Sequence, residues 1–270
     1  MTLSELASRE IKATPPSTTI FQVAEVMRLQ KIGSLFVEEE DGHYVGIVTD
    51  SDLIRKVLTK EIPYDTPVRD IMQSPILEVG IEKSLVEANH LMHLKEIRHL
   101  GISENGKIVG LVSVRDLVHH FYSDQNSSLN KMGDIYNPLS VLTRRNIHSI
   151  KGSASCKEAA QKMSGSRIGS LLVSEGEKYS GIVTETDLTR KVIGFNLPAD
   201  NIPVGSIMNT PIVDIDISRS VLEATEKMAT KGIRHLAVRE EQAIVGILSI
   251  RDLIGMISIR NLPRLPSKQD

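Results

Sequence analysis

Residues 46–57 read GIVTDSDLIRKV, and close copies of this phrase return three more times along the 270-residue chain. Each copy is a glycine, two apolar residues, Thr or Ser, two variable residues, Asp and Leu. The four copies open at Gly46, Gly110, Gly181 and Gly246. Longer segments recur as well, since KIGSLFV at 31–37 returns as RIGSLLV at 167–173. The chain is therefore built from four related repeats, of which repeats 1 and 3 (the odd repeats) match each other, as do repeats 2 and 4 (the even repeats).

The four repeats share one order of predicted elements. A short extended opening precedes a helical pattern, such as Val23, Val26 and Met27, and an apolar strand such as GSLFV follows. A polar turn, Asp41-Gly42 in repeat 1, leads into a second strand and a closing helix. We therefore predict an α/β (α+β) fold in which every repeat is strand, helix, strand, strand, helix.

Proline-containing and polar segments separate the repeats. The most polar stretch, YSDQNSSLNKMGDIYNP, divides the two halves, and the terminal PRLPSKQD is expected to be disordered. The predicted boundaries are 1–58 for repeat 1, 68–121 for repeat 2, 122–138 for the linker, 139–194 for repeat 3, 204–257 for repeat 4 and 258–270 for the tail.

Composition narrows the function classes. The net charge is −2, so no basic surface for nucleic acid or an anionic membrane is indicated. Aromatic residues make up only 3% of the chain, which weighs against a base-stacking platform for single-stranded nucleic acid. The one cysteine excludes an intramolecular disulfide framework. Signal-peptide, nucleophile-elbow and phosphate-loop motifs are missing, so we expect a non-enzymatic, cytoplasmic protein without a metal site.

The repeated phrase contains a possible functional pair. Ser or Thr followed three residues later by Asp is a capping-box pattern, so these residues can simply cap four helices. A carboxylate at the start of a helix can equally accept hydrogen bonds from the hydroxyls of a ribose, while the helix terminus favours a nearby anion. The residues concerned are Thr49, Asp52, Ser113, Asp116, Thr184, Asp187, Ser249 and Asp252. The pattern alone leaves both interpretations open.

Four phrases of the form GIVT/S-x-x-DL, each preceded by a hairpin strand, resemble CBS domains, the repeats first named from cystathionine β-synthase. Two pairs in one chain are similar to the γ subunit of AMP-activated protein kinase and to four-CBS proteins of microbes. The resemblance implies that adjacent repeats pair into two pseudo-twofold modules. It implies a regulatory sensor of AMP, ADP or ATP, or of S-adenosylmethionine, that acts on an effector protein and can form a homodimer. A scaffold without ligand and an enzyme that uses the cleft carboxylates are the alternatives.

The resemblance also assigns roles to residues. It places the four Asp residues and their Thr or Ser partners at ribose. It implies phosphate contacts for Arg98, His99, Arg115, Arg234, His235 and Arg251. In the kinase γ subunit the matching strand start carries His-Arg, whereas this chain has the order Arg-His in both Arg98-His99 and Arg234-His235. It implies adenine-lining positions at Ile11, Ile32, Gly33, Ser34, Ile76, Ile147, Ile168, Gly169, Ser170 and Ile212, where the alternative is ordinary core.

The cations distinguish the even from the odd repeats. Arg115 and Arg251 directly precede the Asp of repeats 2 and 4, where repeats 1 and 3 carry Ser51 and Thr186. We therefore expect the even sites to bind phosphorylated ligands more tightly. Arg55-Lys56 and Arg190-Lys191 follow one turn later in the odd repeats, and these side chains would weaken the ranking if they reached the phosphate.

Overall fold

The described strands form four three-stranded sheets, one for each repeat. The structure, a computed structural model, describes residues 2–6, 10–123, 134–176, 178–253 and 255. Residues 124–133 of the polar linker and the tail 258–270 lie outside the described residues. Within each sheet the first strand runs parallel to the second, and the second forms an antiparallel hairpin with the third. This strand order confirms the arrangement of strands predicted for each repeat.

The strands, in chain order, are β1 Ala13–Thr14, β2 Ser34–Glu38, β3 Tyr44–Thr49, β4 Glu78–Gly80, β5 His99–Glu104, β6 Lys107–Ser113, β7 Ser149–Lys151, β8 Ser170–Glu175, β9 Lys178–Thr184, β10 Asp214–Asp216, β11 His235–Glu240 and β12 Ala243–Ser249. The helices are α1 Ile20–Gln30, α2 Asp50–Asp52, α3 Leu85–Leu94, α4 Val114–Ser123, α5 Cys156–Ser166, α6 Glu185–Lys191 and α7 Val221–Lys231. Helix α2 continues as a π-helix over Leu53–Leu58.

The first helix of every repeat begins at a capping box. In α1 the side chain of Thr19 accepts a hydrogen bond from the backbone N–H of Gln22, whose side chain accepts one from the backbone of Thr19. Helices α3, α5 and α7 begin in the same way with Ser and Glu. Each box satisfies N–H groups that a helix start leaves unpaired, which fixes where the helix begins after the first strand.

The first residues of each repeat form backbone hydrogen bonds with the neighbouring repeat. The backbone N–H of Val68, at the beginning of repeat 2, donates to the carbonyl of Thr18 in repeat 1 at 2.8 Å. Conversely, the backbone N–H of Leu3, at the beginning of repeat 1, donates to the carbonyl of Lys83 in repeat 2 at 3.0 Å. Leu139 and Val204 make the equivalent exchange between repeats 3 and 4. The first residues of each repeat therefore form backbone hydrogen bonds with a residue of the repeat adjacent to it in the chain, and each of these bonds lies within one compact unit.

The packing also divides the chain into two compact units, each of which combines alternate repeats. The odd unit consists of Glu10–Ile76 and Asn146–Val213, and the even unit of Met1–Arg9, Leu77–Arg145 and Asp214–Asp270. The core of the odd unit contains Met27 from repeat 1 and Met163 from repeat 3, both fully buried. Because these units join alternate repeats, the pseudo-twofold module of adjacent repeats stays a prediction.

Candidate functional site

The Thr or Ser and Asp of all four repeated phrases form the hydrogen bonds of a cap. The Oδ2 atom of each Asp accepts from the backbone N–H and the hydroxyl three residues earlier; the backbone distances are 3.0 Å at Asp52, 2.8 Å at Asp116, 2.9 Å at Asp187 and 2.7 Å at Asp252. The capping interpretation is therefore confirmed. Since the cap occupies mainly Oδ2, what surrounds Oδ1 decides whether a ribose can bind.

In repeat 1 the second carboxylate oxygen of Asp52 is already engaged. The side-chain amide of Gln73 donates to Oδ1 at 2.8 Å, and Lys56 Nζ lies 3.4 Å from the same atom. Lys56 is held in place because it also donates to the carbonyl of Ile71 at 2.7 Å. The side chain of Asp52 is 8% exposed. Lys56 therefore forms an ion pair with Asp52 in this structure. The sequence analysis had instead considered a contact between this lysine and a bound phosphate.

Repeat 3 reproduces this arrangement. Asn209 Nδ2 donates to Oδ2 of Asp187 at 2.8 Å, and Lys191 Nζ lies 2.9 Å from Oδ1. Lys191 also donates to the carbonyl of Ile207 at 2.8 Å. Both odd Asp residues thus hold an internal lysine and an internal amide.

A glycine lets the connecting segment approach the odd carboxylate. A Cβ on Gly46 would lie 2.5 Å from Met72 Sδ and 3.0 Å from the carbonyl oxygen of Gln73. The backbones of Ile47 and Gln73 therefore pair directly, with N–H···O distances of 3.0 and 2.8 Å. This close approach brings the amide of Gln73 to Asp52, a contact between residues that the sequence analysis had not connected.

The even Asp residues lack this second set of contacts. Over the part of the chain that the structure describes, no hydrogen bond or ion pair reaches Oδ1 of Asp116 or Asp252. Both side chains are half-buried. The residue four positions after Asp116 is His120, where the odd repeats have lysine. The even carboxylates therefore keep an acceptor that a ribose hydroxyl could use.

Arginines of repeats 2 and 4 act electrostatically on one histidine of the even unit. Arg98 is 9% exposed, and its carbonyl accepts from the backbone N–H of Val114 at 2.9 Å, which places it at the start of α4. Arg234 takes the same position before Ile250 in repeat 4. Burial, followed by the charges of Arg98, Arg234 and Arg115, lowers the pKa of His99 to about 3. A histidine of repeat 2 therefore lies within electrostatic reach of an arginine of repeat 4.

The low pKa of His99 predicts an acid-sensitive stability. The unfolded chain takes up a proton on this ring near pH 6.5, whereas the folded chain stays neutral there until about pH 3. Between these values the unfolded state binds more protons, so the His99 contribution makes the free energy of unfolding fall as the pH falls. Urea unfolding from pH 7 to pH 4 measures this slope.

The effect of His99 is isolated by comparing variants. His99→Gln should unfold with a shallower loss of stability between pH 6.5 and pH 4 than the parent chain. His43 is exposed in repeat 1, so His43→Gln should keep the parental slope. Identical slopes for the parent and His99→Gln would contradict a neutral, desolvated His99.

The residues between cap and Asp link the two odd repeats. Ser51 Oγ donates to Glu185 Oε2 at 2.9 Å, and Thr186 Oγ1 donates to Asp50 Oδ2 at 2.9 Å. Asp50 is fully buried and Glu185 is 1% exposed. The repeated phrase is thus also a contact between repeats, which the sequence analysis did not anticipate. An acidic residue directly after the cap in both odd repeats is the signal that could have indicated it.

The proposed adenine-lining positions fall in the odd unit and are mostly half-buried. Ser34 and Ser170 are buried at the starts of β2 and β8, and the four isoleucines of the openings (Ile11, Ile76, Ile147 and Ile212) are half-buried. The carbonyls of Gly33 and Gly169 accept from the first backbone N–H of α2 and α6 at 3.1 Å. Since these residues and the even Asp residues belong to different units, a shared adenine site stays a prediction.

The described ranges hold neither a metal-binding cluster nor a membrane-spanning helix. Over residues 2–6, 10–123, 134–176, 178–253 and 255, no group of three or more His, Cys, Asp or Glu side chains is placed to hold a metal ion. The helices of the same ranges are too short or too polar to cross a membrane. Cys156 is buried, and that burial raises the pKa of its thiol to about 12, as expected for a small core residue.

Comparisons with known proteins agree with this architecture. The chain is 24% identical to CBSCBSPB5, a CBS domain-containing protein of Arabidopsis thaliana, over 97% of this chain and 42% of that protein. It is 34% identical over 120 residues to protein MK0525 of Methanopyrus kandleri, which covers 44% of this chain and 61% of that protein. The chain therefore spans less than two thirds of the length of these relatives.

Solved structures show the same fold. Protein MJ1225 of Methanocaldococcus jannaschii, described as a proposed archaeal homologue of γ-AMPK, superposes with a TM-score of 0.80 at 19% identity, covering 95% of this chain and 99% of that one. A conserved protein of Pyrococcus horikoshii superposes with a TM-score of 0.63 at 21% sequence identity. The match covers 95% of this chain and 100% of that one. The family model of the CBS domain matches residues 3–59, 68–123, 139–194 and 204–259. With four matches that span most of its length, the chain belongs to the CBS domain family.

Proposed function

We propose that this chain is a regulatory sensor of adenine nucleotides, AMP, ADP or ATP, and that an effector protein responds to its ligand state. Membership of the CBS domain family supports a regulatory rather than a catalytic role. In this proposal Asp116 and Asp252 hold the ribose, with Ser113 and Ser249 beside them. The phosphate lies among the arginines and histidines of the even repeats.

One observation carries the proposal, namely the difference between even and odd carboxylates. Oδ1 of Asp52 and of Asp187 already contacts a lysine, whereas Oδ1 of Asp116 and of Asp252 is left for a ligand by the described residues. Ribose hydroxyls are donors that match a carboxylate acceptor, and the adjacent arginines match a phosphate. A ribose linked to a phosphate therefore fits the even sites in both parts.

Adding AMP, ADP or ATP is expected to stabilise the folded chain. At a ligand concentration of 100 times Kd, one site adds about 2.7 kcal/mol to the free energy of unfolding. For a protein of this size that corresponds to a rise in Tm of several degrees. The measurement is thermal unfolding of the full chain with adenosine, AMP, ADP, ATP and S-adenosylmethionine, each up to millimolar concentration.

Variants at the even Asp residues separate the cap from the ligand contact. Asp116→Ala with Asp252→Ala should lower Tm without ligand, because each lost cap costs about 1 kcal/mol. The same variant should also lose most of the rise in Tm that nucleotides cause. A variant that melts earlier and still gains the full rise would show that these residues are caps alone.

The other outcomes point to the rival functions. Stabilisation by S-adenosylmethionine alone would replace the nucleotide with another adenosyl ligand. A melting curve that no adenosine compound moves would favour a scaffold without ligand. Formation of AMP or adenosine from ATP by the purified chain would favour an enzyme. Each of these results would overturn the nucleotide sensor proposed above.

A further inference from the structure

The protein itself fills the acceptor positions of both odd Asp residues. A carboxylate offers about four such positions. At Asp52 they are taken by the backbone N–H and hydroxyl of Thr49, the amide of Gln73 and the ammonium of Lys56, at distances between 2.7 and 3.4 Å. The corresponding donors of repeat 3 surround Asp187 at 2.6 to 2.9 Å and belong to Thr184, Asn209 and Lys191. These donors leave no position for the hydroxyls of a ribose.

The two amides cover the odd carboxylates on the side that faces solvent. Gln73 and Asn209 are exposed residues, whereas the side chains of Asp52 and Asp187 are 8% and 9% exposed. The even Asp residues, which hold only their caps among the described residues, are half-buried. A ligand that comes from solvent must therefore displace an amide before it can reach an odd carboxylate.

The backbone holds both amides in place. Gln73 and Asn209 each exchange two backbone hydrogen bonds with the third strand of their sheet, at 3.0 and 2.8 Å. In repeat 3 the lysine also donates to the amide, because Lys191 Nζ lies 2.9 Å from Asn209 Oδ1. Asp187, Lys191 and Asn209 thus contact one another in a closed ring. A side chain whose backbone is already fixed loses less conformational entropy when it binds, which favours the closed arrangement.

Repeat 4 has the same backbone approach with a different side chain. A Cβ on Gly246 would lie 2.9 Å from the carbonyl oxygen of Arg144, and the equivalent distance is 3.0 Å in both odd repeats. Arg144 therefore takes the place that the amides take in the odd repeats. Among the residues that the structure describes, no hydrogen bond or ion pair joins Arg144 to Asp252. The side chain at this one place thus separates a closed carboxylate from an open one.

We propose that Gln73 and Asn209 determine which repeats bind a ligand, because their amides, together with the neighbouring lysines, close the odd carboxylates to a ribose. The inference rests on the proposed function, since it takes the Asp carboxylate as the acceptor of ribose hydroxyls. It adds the residues that restrict the ligand to the even repeats. A nucleoside reaches Asp52 or Asp187 only when the amide has left the carboxylate.

Removing the amides should open the odd sites. The starting point is the full-length chain with Asp116→Ala and Asp252→Ala, in which only the odd carboxylates remain. Adding Gln73→Ala with Asn209→Ala should tighten the binding of adenosine by at least about tenfold in calorimetry, because a charged acceptor becomes available to a ribose hydroxyl. Adenosine is the probe because it reports the ribose contact without a phosphate. The lysines stay, since their loss would leave a nearly buried carboxylate without its counter-charge.

Two other amides of the odd unit provide the matched control. Gln30 and Gln161 are exposed on helices α1 and α5. Gln30→Ala with Gln161→Ala, in the same starting chain, should change the affinity for adenosine by less than about twofold. A control pair that gains as much as the opened chain would overturn the assignment to Gln73 and Asn209.

Urea unfolding tests the contact without any ligand. Gln73→Ala should lower the urea midpoint of the parent chain, and it should lower the midpoint by clearly less when Asp52→Ala has already removed the acceptor. Because Gln73 is exposed, its replacement should leave the chain folded. Equal losses in both backgrounds would show that the amide does not hold the carboxylate, which overturns the closure.

The titrations separate a failure of the closure from a failure of the proposed function. A parent chain that binds adenosine or its nucleotides, together with an opened chain that gains no affinity, refutes the closure alone. A parent chain and an opened chain that both bind no adenosine, AMP, ADP or ATP refute the proposed function and, with it, the closure.

Discussion

A chain that keeps only its even Asp residues is expected to bind AMP about ten- to a hundredfold more tightly than adenosine. The variant is Asp52→Ala combined with Asp187→Ala, which leaves Asp116 and Asp252 in place. A charge-assisted contact between an arginine and a phosphate contributes roughly 1.5–3 kcal/mol, which corresponds to that range of Kd. Calorimetric titration of the variant with both ligands gives the ratio.

The reciprocal variant is the matched control for this ratio. Asp116→Ala with Asp252→Ala leaves the odd sites, where lysine and an amide already engage the carboxylates. We expect this chain to bind either ligand weakly and to prefer AMP by less than about threefold, since Gly33 and Ser51 replace the even cations. An odd-only chain that gains as much from the phosphate as the even-only chain would contradict the ranking of the sites.

The order of strands and helices within each repeat, and the capping boxes at the helix starts, could be predicted because they depend on residues that are close in sequence. A capping box lies within four residues, and a hairpin of two apolar strands with a turn at Asp41-Gly42 lies within about twenty. The structure confirms both, with Gly42 at a φ of +75°. The strand order within each repeat follows from the same short-range pattern. These features need no knowledge of how distant segments pack.

The closure of the odd sites could be read only in part. Lysine four residues after Asp is a recognisable helical ion pair, so the contact between Lys56 and Asp52 was available from spacing. The amide of Gln73 was not, because it arrives through a connecting segment that pairs with Ile47. The sequence ranked the even sites above the odd sites by their cations alone, and the packing adds a second difference, because the odd carboxylates already contact a lysine and an amide.

The grouping of alternate repeats into compact units could not be predicted from the sequence, for a similar reason. Internal similarity shows only which repeats are alike, and the modules of adjacent repeats, which the resemblance to paired CBS domains implies, stay a prediction. Which repeats form one core depends on side chains from distant parts of the chain, such as Met27 and Met163. The acidic Glu185 directly after the cap of repeat 3 is explained by its buried contact with repeat 1, because it accepts a hydrogen bond from Ser51.

Breaking the contact between Asp50 and Thr186 is expected to destabilise the odd unit. Asp50→Val introduces the residue type that repeat 2 carries at Val114, and it removes the acceptor of the Thr186 hydroxyl. Thr186 is half-buried, and the loss of its hydrogen bond to a buried carboxylate costs about 1–3 kcal/mol. For a chain of this length each kcal/mol lowers Tm by roughly 2–4 °C. Urea and thermal unfolding of Asp50→Val against the parent chain measure the loss.

A second substitution shows whether this loss belongs to the hydrogen bond. Thr186→Val in the Asp50→Val background removes the hydroxyl that donated to Asp50, and we expect it to restore about 1 kcal/mol. Thr186→Val alone should cost stability, because it leaves the buried Asp50 carboxylate with one donor fewer. The two single losses should therefore exceed the loss of the double variant. Strictly additive losses would mean that the 2.9 Å contact contributes nothing and that Asp50 acts only through its position at the start of α2.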